Sequence, residues 1–392
     1  LRSNILKKSP KCDRIVIWEV FYIMNALKKF FKDETVFVIS LICAIVSMVL
    51  VPPNSDYLGY INTSVLIMLF CLMLVVAGLN SIGVLSKISN ALVSRFNSVK
   101  AISFILVNFC YILAMFITND VSLITIVPLT INVLKRCDHK KTIFVVVMET
   151  ISANLGSMVT PIGNPQNIYV YEKYHIDILE FFKIMLPLGL ISLVIINLIL
   201  LLSKDQPIQT NLPEDTHNSI DKKSLLIYLI MFLICILTVL KVVPHYMCLI
   251  LVAVLGILTD IKIFKSVDYI LLLTFVSFFV FTGNVASIQA IKDLVSNYLT
   301  GREVLFSALL SQIVSNVPAT LMLSGFTQQY SKLLIGVNIG GLGTIISSLA
   351  SLISFKYYCK EYPKSTGEYL KVFSIYNFSI LILLMVVFYT MY

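Results

Sequence analysis

The chain has 392 residues, 58% of them hydrophobic and only 13% charged, with a formal net charge of +9. A soluble domain carries about a quarter charged residues, so a large water-soluble core is excluded. The positive residues lie in short segments between apolar runs, which points to membrane orientation rather than to nucleic acid.

Residues 1–35 read as a cytoplasmic N-terminal segment. The apolar run 15–23 is too short to span a bilayer. Met24 is followed by Asn25-Ala26-Leu27-Lys28-Lys29, so residues 1–23 are expected to lie upstream of the native start. The apolar runs then predict spans near 36–51, 65–85, 142–170, 184–202, 225–241, 246–259, 268–286, 335–355 and 371–391. Two further segments, 101–134 and 303–331, are each an apolar limb, a polar tip and a second apolar limb. The expected fold is an all-α polytopic membrane protein with about nine full spans and two re-entrant hairpins. Two complete helices with a solvent turn remain an alternative for each hairpin.

With the N-terminus inside, 24 of the 30 Lys and Arg fall on the inner side, as the positive-inside rule requires. The C-terminus is then outside. The first hairpin starts and ends inside, at Lys100 and Lys135, and the second outside, at Arg302 and Lys332. Units entering from opposite faces predict two inverted repeats, 36–202 and 246–392. Residues 203–245 would be a cytoplasmic linker and a connecting helix.

The tips are Thr118-Asn119-Asp120 and Ser315-Asn316-Val317-Pro318. Each is followed by a second break: Thr160-Pro161-Ile162-Gly163-Asn164-Pro165-Gln166-Asn167, and Asn338-Ile339-Gly340-Gly341-Leu342-Gly343. Irregular backbone at membrane depth survives only where protein or a water-filled cavity satisfies it. Interrupted helices at matching places in two halves mark the binding site of a secondary transporter. Thr118, Asn119, Asn164, Asn167, Ser315 and Asn316 are therefore the candidate substrate ligands. Their amides and hydroxyls serve cations and oxyanions alike, and helix N-termini at the tips favour an anion. Asp120, Gly163, Asn338 and Gly341 are the candidates for coupling to a cation or proton. An acid at membrane depth is usually functional, although Asp120 also suits a helix cap. Glu149 is either a second proton site or a group satisfied by a neighbouring helix. The glycines of the second break serve either the break or close helix packing, and Asn108 and Asn284 read as interhelical hydrogen-bonders.

The eight cysteines form no C-x-x-C pair and the four histidines are isolated, so no disulfide framework or zinc site is expected. An intramembrane hydrolase would need a catalytic pair such as two aspartates or H-E-x-x-H. No cofactor is expected beyond a coupling Na⁺ or H⁺.

Three stretches resemble the ion transporter superfamily of arsenite permeases, citrate transporters and sodium-coupled dicarboxylate symporters. They are Ile117-Thr118-Asn119-Asp120-Val121 with Val127-Pro128, Ala153-Asn154-Leu155-Gly156-Ser157 running into 160–167, and Ser315-Asn316-Val317-Pro318-Ala319-Thr320. The resemblance implies two inverted repeats with substrate and cation sites at both tips, and an elevator-like motion in a dimer. Dicarboxylate members carry Ser-Asn-Thr at the tips, and neither tip here keeps the third Thr. Asp120 looks more like the arsenite-permease side. The function expected is an ion-coupled transporter of a small anion or oxyacid, such as citrate or a dicarboxylate, in the cell membrane. An arsenite efflux permease or a cation/proton antiporter is the alternative, and a channel is the rival from another class.

Overall fold

The computed structural model describes residues 34–93, 96, 98–135, 137–206 and 220–391. Residues 1–23, expected to be non-native, and much of the 203–223 linker lie outside these. The described chain is built of helices. In order they are α1 (Thr35–Leu50), a one-turn helix Tyr57–Tyr60, α2 (Thr63–Ser81), α3 (Val84–Val93), α4 (Val99–Ile117), α5 (Asn119–Val133), α6 (His139–Ser157), α7 (Pro165–Lys173) and α8 (Ile178–Leu201). After the linker come α9 (Lys222–Val239), α10 (His245–Thr259), a 3₁₀ turn at Ile261–Ser266, α11 (Tyr269–Ser287) and α12 (Gln289–Leu299). The rest are α13 (Glu303–Val314), α14 (Asn316–Leu323), α15 (Tyr330–Ile339), α16 (Leu349–Glu361) and α17 (Thr366–Met391).

Among the described residues, six helices are long and apolar enough to cross a membrane: α2, α4, α8, α9, α11 and α17. The others expected to span are shorter or broken. α1 has 16 residues and α10 has 15, while 142–170 and 335–355 divide into α6/α7 and α15/α16. The sequence reading did not anticipate α3 and α12. Both are short and amphipathic: α3 buries Val84, Leu85, Ser89 and Val93, and α12 buries Leu299. Neither has the unbroken apolar run that marks a span.

Contacts between distant loops assign them to two faces. On one face Ser98 bonds Asp205 (2.7 Å), Lys135 pairs with Glu361 (2.7 Å) and His139 meets Glu368 (3.0 Å). On the other, Lys241 donates to the carbonyl of Ile176 (3.0 Å), Tyr174 donates to those of Ser324 (3.0 Å) and Thr327 (2.9 Å), and Ser296 donates to that of Phe326 (3.0 Å). Both ends of the α4–α5 hairpin therefore lie on the Lys-rich face. The end of the α13–α14 hairpin lies on the opposite one.

The polar tips are buried within protein. Asn119 is 5% exposed, Ser315 2% and Asn316 4%, so neither tip is a solvent turn. α4 and α13 each stop at one residue of unusual backbone, Thr118 (φ 89, ψ 151) and Ser315 (φ 77, ψ 156). That region is essentially glycine's, and a side chain there costs about 1–3 kcal/mol. The same conformation recurs at both tips.

Packing divides the helices into two groups. α4 lies on α6, α13 on α15, and α5 on α16, which joins the two hairpins through the two broken segments. α1 pairs with α11, while α2 packs against α9 and α10. The groups meet where α2 touches α7 and α11 touches α14. The isolated amides serve helix pairing: Asn108 and Asn197 exchange hydrogen bonds (2.8 and 3.0 Å) between α4 and α8. Asn284 donates to Ser47 (3.0 Å) and Tyr57 (2.7 Å), tying α11 to α1 and its following turn.

Candidate functional site

The first break runs from the end of α6 to Asn164. Asn164 is extended (φ −156, ψ 159) and its side chain accepts from the Asn167 N–H at 2.9 Å. Pro165 follows at the first helical position, so the pair restarts the chain as α7. Gly163 is required by close approach: a Cβ there would sit 2.1 Å from the Ser157 carbonyl oxygen. Asn167 spans the break by donating to the carbonyls of Ser157 (3.2 Å), Met158 (3.2 Å) and Thr160 (2.9 Å).

The second break is held from outside itself. The Gln312 amide of α13 donates to the carbonyls of Gly340 (2.9 Å) and Leu342 (3.0 Å), and its oxygen accepts from the Thr344 N–H (2.8 Å). Gly343 adopts φ 111, where a side chain would be strained. Gly340 packs against Ala308, its Cβ position 2.7 Å from that Cα, so the close-packing role holds for Gly340 and the conformational one for Gly343.

The candidate amides come together in two linked sets. Asn164 donates to Asn338 Oδ1 (3.0 Å), and Asn338 donates to Asn167 Oδ1 (2.8 Å). The two breaks are thereby tied through three buried amides. In this conformation the Asn167 amide is fully occupied within the protein. In the second set, Asn119 donates to Asn154 Oδ1 (3.2 Å), which also accepts from Ser348 (2.9 Å). Asn154 in turn donates to Ser351 (3.3 Å). The first tip is thus joined to the start of α16. The second tip docks on the same stretch: the Asn316 N–H donates to the Ser347 carbonyl (2.9 Å) and Asn316 Oδ1 accepts from the Val317 N–H (2.9 Å). A Cβ on Gly341 would lie 2.9 Å from Asn316 Nδ2, so Gly341 permits that contact.

A cavity of about 290 Å³ opens at the first tip. Thr118 and Asp120 line it, together with Asn80 of α2, Pro165 of α7 and Asp268 before α11. Ser315 and Asn316 are not among its lining residues. No side chain caps the start of α5, and among the described residues the buried Asp120 Oδ1 has no hydrogen-bond partner. Such a group costs about 1–3 kcal/mol, more when charged, which favours an incoming proton or cation. Glu149 is fully buried in α6, accepts from the Thr130 hydroxyl of α5, and leaves Oε2 unpartnered.

Sequence reasoning missed Asp268, Asn80 and Gln312. Asp268 accepts from the Leu271 N–H (2.8 Å) at the start of α11, so by sequence it is an ordinary N-cap. Asn80 is one amide at a helix end. Nothing in the spacing of Gln312 announces that it clasps a loop nearly thirty residues ahead.

A helical chain with several membrane-crossing helices, and buried polar breaks tied together at its centre, is a multi-pass membrane transporter by its architecture and its relatives. The chain belongs to the citrate transporter family, whose model matches residues 15–333. It is 35% identical over 251 residues to an uncharacterized transporter of Methanocaldococcus jannaschii, covering 62% of this chain and 67% of that one. It is 30% identical over 301 residues to the inner membrane protein YbiR of Escherichia coli, covering 76% and 80%. A shorter match, 32% over 106 residues, joins it to a putative transporter arsB of Dictyostelium discoideum, covering 26% of this chain and 18% of that protein. The likeness to the ion transporter superfamily expected from the tip and break motifs is confirmed.

Proposed function

We propose that this protein is an ion-coupled secondary transporter that moves a small anion or oxyacid, such as citrate or a dicarboxylate, across the cell membrane. The observation that carries this reading is the pair of buried tips. Two hairpins entering from opposite faces end in the same strained conformation at Thr118 and Ser315. The second tip bonds the Ser347 carbonyl just before α16 directly, and the first reaches Ser348 through Asn154 of α6. Strain of this kind persists where surrounding structure holds it, and it clusters at functional sites.

In this reading the chain is two inverted repeats, 36–202 and 246–392, joined by 203–245. Helix by helix, α1, α2, α3, the first hairpin, α6/α7 and α8 correspond to α10, α11, α12, the second hairpin, α15/α16 and α17. The Lys-rich face is cytoplasmic, the N-terminus inside and the C-terminus outside. Substrate is held by Thr118, Asn119, Ser315 and Asn316, and reaches Asn164 and Asn167 only when their mutual bonds open. Asp120 carries the coupling Na⁺ or H⁺, with Gly163, Asn338 and Gly341 shaping that site. A homodimer is the expected assembly, by analogy with the superfamily.

Arsenite efflux is the second reading, favoured by Asp120 beside a cavity whose lining, among the described residues, carries no Lys or Arg and by the arsB relative. A cation/proton antiporter would use the same acid. The test is uptake of labelled citrate, succinate and arsenite into proteoliposomes, under a Na⁺ gradient and separately a pH gradient. Carboxylate uptake driven by either gradient is the expected result. Arsenite movement alone reassigns the substrate, and no gradient-dependent movement of any of the three contradicts the proposal.

A further inference from the structure

A second cavity, of about 440 Å³, lies on the Lys-poor face. It is lined by residues 59–63 at the start of α2, by Tyr169 and Lys173 of α7, and by residues of α11 from Phe279 to Ala286. These are the helices that also wall the cavity at the first tip, which takes Leu69–Asn80 of α2, Pro165 and Ile168 of α7, and Leu271 of α11. Eight residues of α11 separate Leu271 from Phe279, a rise of about 12 Å. The two cavities therefore lie end to end along one crevice.

Tyr169 and Phe279, which line the second cavity, cluster with Phe275, midway along α11 between Leu271 and Phe279. Tyr169 lies 6.4 Å from Phe275 and 5.6 Å from Phe279, centroid to centroid, and Phe275 lies 5.9 Å from Phe279. Phe275 is fully buried.

Among the described residues, Lys173 is the one charged residue lining the second cavity. It is partly buried. Its ammonium donates to Tyr169 Oη (3.0 Å) and Ser324 Oγ (2.9 Å), and it lies over the rings of Tyr169 and Tyr174. Two of its three donors are thus used on neutral groups. Among the described residues no carboxylate pairs with it; the adjacent Glu172 contacts His245 at 3.2 Å instead. Buried charges are normally paired, so this cation has room and polar neighbours but no counter-ion.

We infer that this cavity is an anion-binding vestibule, in which Lys173 with Asn62 receives a water-soluble carboxylate or oxyanion, sealed from the tip cavity by Tyr169, Phe275 and Phe279. The role of the site in transport rests on the function proposed above; the binding of an anion does not. The crevice carries Lys173 at one end and Asp120 with Asp268 at the other.

Thr63 is exposed at the mouth, and a thiol there reports the local potential without any knowledge of the substrate. The experiment uses purified full-length T63C in detergent, with the reaction of the unmodified chain subtracted. Anionic and cationic methanethiosulfonates are compared, each rate divided by its rate with a free thiol. The anionic reagent is expected to react faster. Lys173→Gln should lower that preference roughly tenfold, equivalent to about 1.4 kcal/mol, and Lys173→Arg should keep it. Citrate or inorganic phosphate should slow the anionic reagent. A preference of one or below in T63C alone, which needs no change at Lys173, overturns the inference. So does a preference that Lys173→Gln leaves unmoved, or protection by anionic lipid alone. Protection by phosphate but not by citrate upholds the vestibule and counts against citrate as substrate.

Discussion

Ser315→Gly is expected to make the protein more stable, although glycine usually weakens a helical hairpin. Ser315 sits at φ 77, ψ 156, where a residue with a Cβ carries about 1–3 kcal/mol of strain. Its hydroxyl offers little in return. Its two contacts, to Asn316 Oδ1 at 3.5 Å and the Ser347 carbonyl at 3.4 Å, are at the outer limit of hydrogen-bond geometry, so losing them costs about 0.5 kcal/mol at most. The freer unfolded chain of a glycine costs about 0.5–1 kcal/mol. The net expectation runs from about −0.5 to about +2.5 kcal/mol, a gain over most of the range because the strain exceeds both losses once it passes about 1.5 kcal/mol. Ser315→Ala keeps the strain and loses the hydroxyl, so it should be neutral or slightly destabilising. The assay is the fraction of purified protein that stays monodisperse in detergent after heating, read as a midpoint temperature. Glycine above wild type with alanine at or below it is the predicted order. Glycine below wild type, or glycine and alanine moving together, would show that the tip is not strained and refute the reasoning.

Asn119→Ala and Asn316→Ala should abolish transport while leaving folded yield intact; full uptake in both variants would place the site elsewhere. Asp120→Asn should remove dependence on the driving ion gradient, measured by comparing uptake with and without the gradient, and unchanged coupling would leave Asp120 without the proposed role. Gly163→Ala should lower the midpoint temperature, because its Cβ would meet the Ser157 carbonyl oxygen at 2.1 Å and that oxygen also holds Asn167. Overpacking plus one strained hydrogen bond amounts to about 2–4 kcal/mol. Gly367→Ala, whose Cβ meets nothing within 4 Å, is the control and should be neutral or stabilising. Equal midpoints for the two would remove the close-approach argument.

The breaks were legible because Pro161, Pro165, Gly163 and paired amides are conspicuous in apolar surroundings, and polar backbone at that depth needs a reason. Which loops share a face followed from the placement of Lys and Arg, and the Lys135–Glu361 and Lys241–Ile176 contacts agree with it. What the sequence could not carry is partnership across the fold. Asn164, Asn167 and Asn338 looked like free ligands, yet they bond one another, and that follows only from bringing the two breaks together. Asp268 was hidden because a helix N-cap beside basic residues is an ordinary pattern. The strain at Thr118 and Ser315 was invisible for a similar reason. Thr and Ser before Asn suit a conventional cap, and only the dihedral angles show otherwise.

The central claim is carrier transport through a site built on the two tips, and substrate counterflow tests it most directly. Proteoliposomes are loaded with unlabelled citrate, diluted into trace labelled citrate without any ion gradient, and compared with N119A vesicles; the same protocol is repeated with arsenite. Transient, saturable accumulation of label for one of the two substrates, lost in N119A, is the predicted result. Flux that only equilibrates and never saturates, unaltered in N119A, would describe a channel and contradict the account.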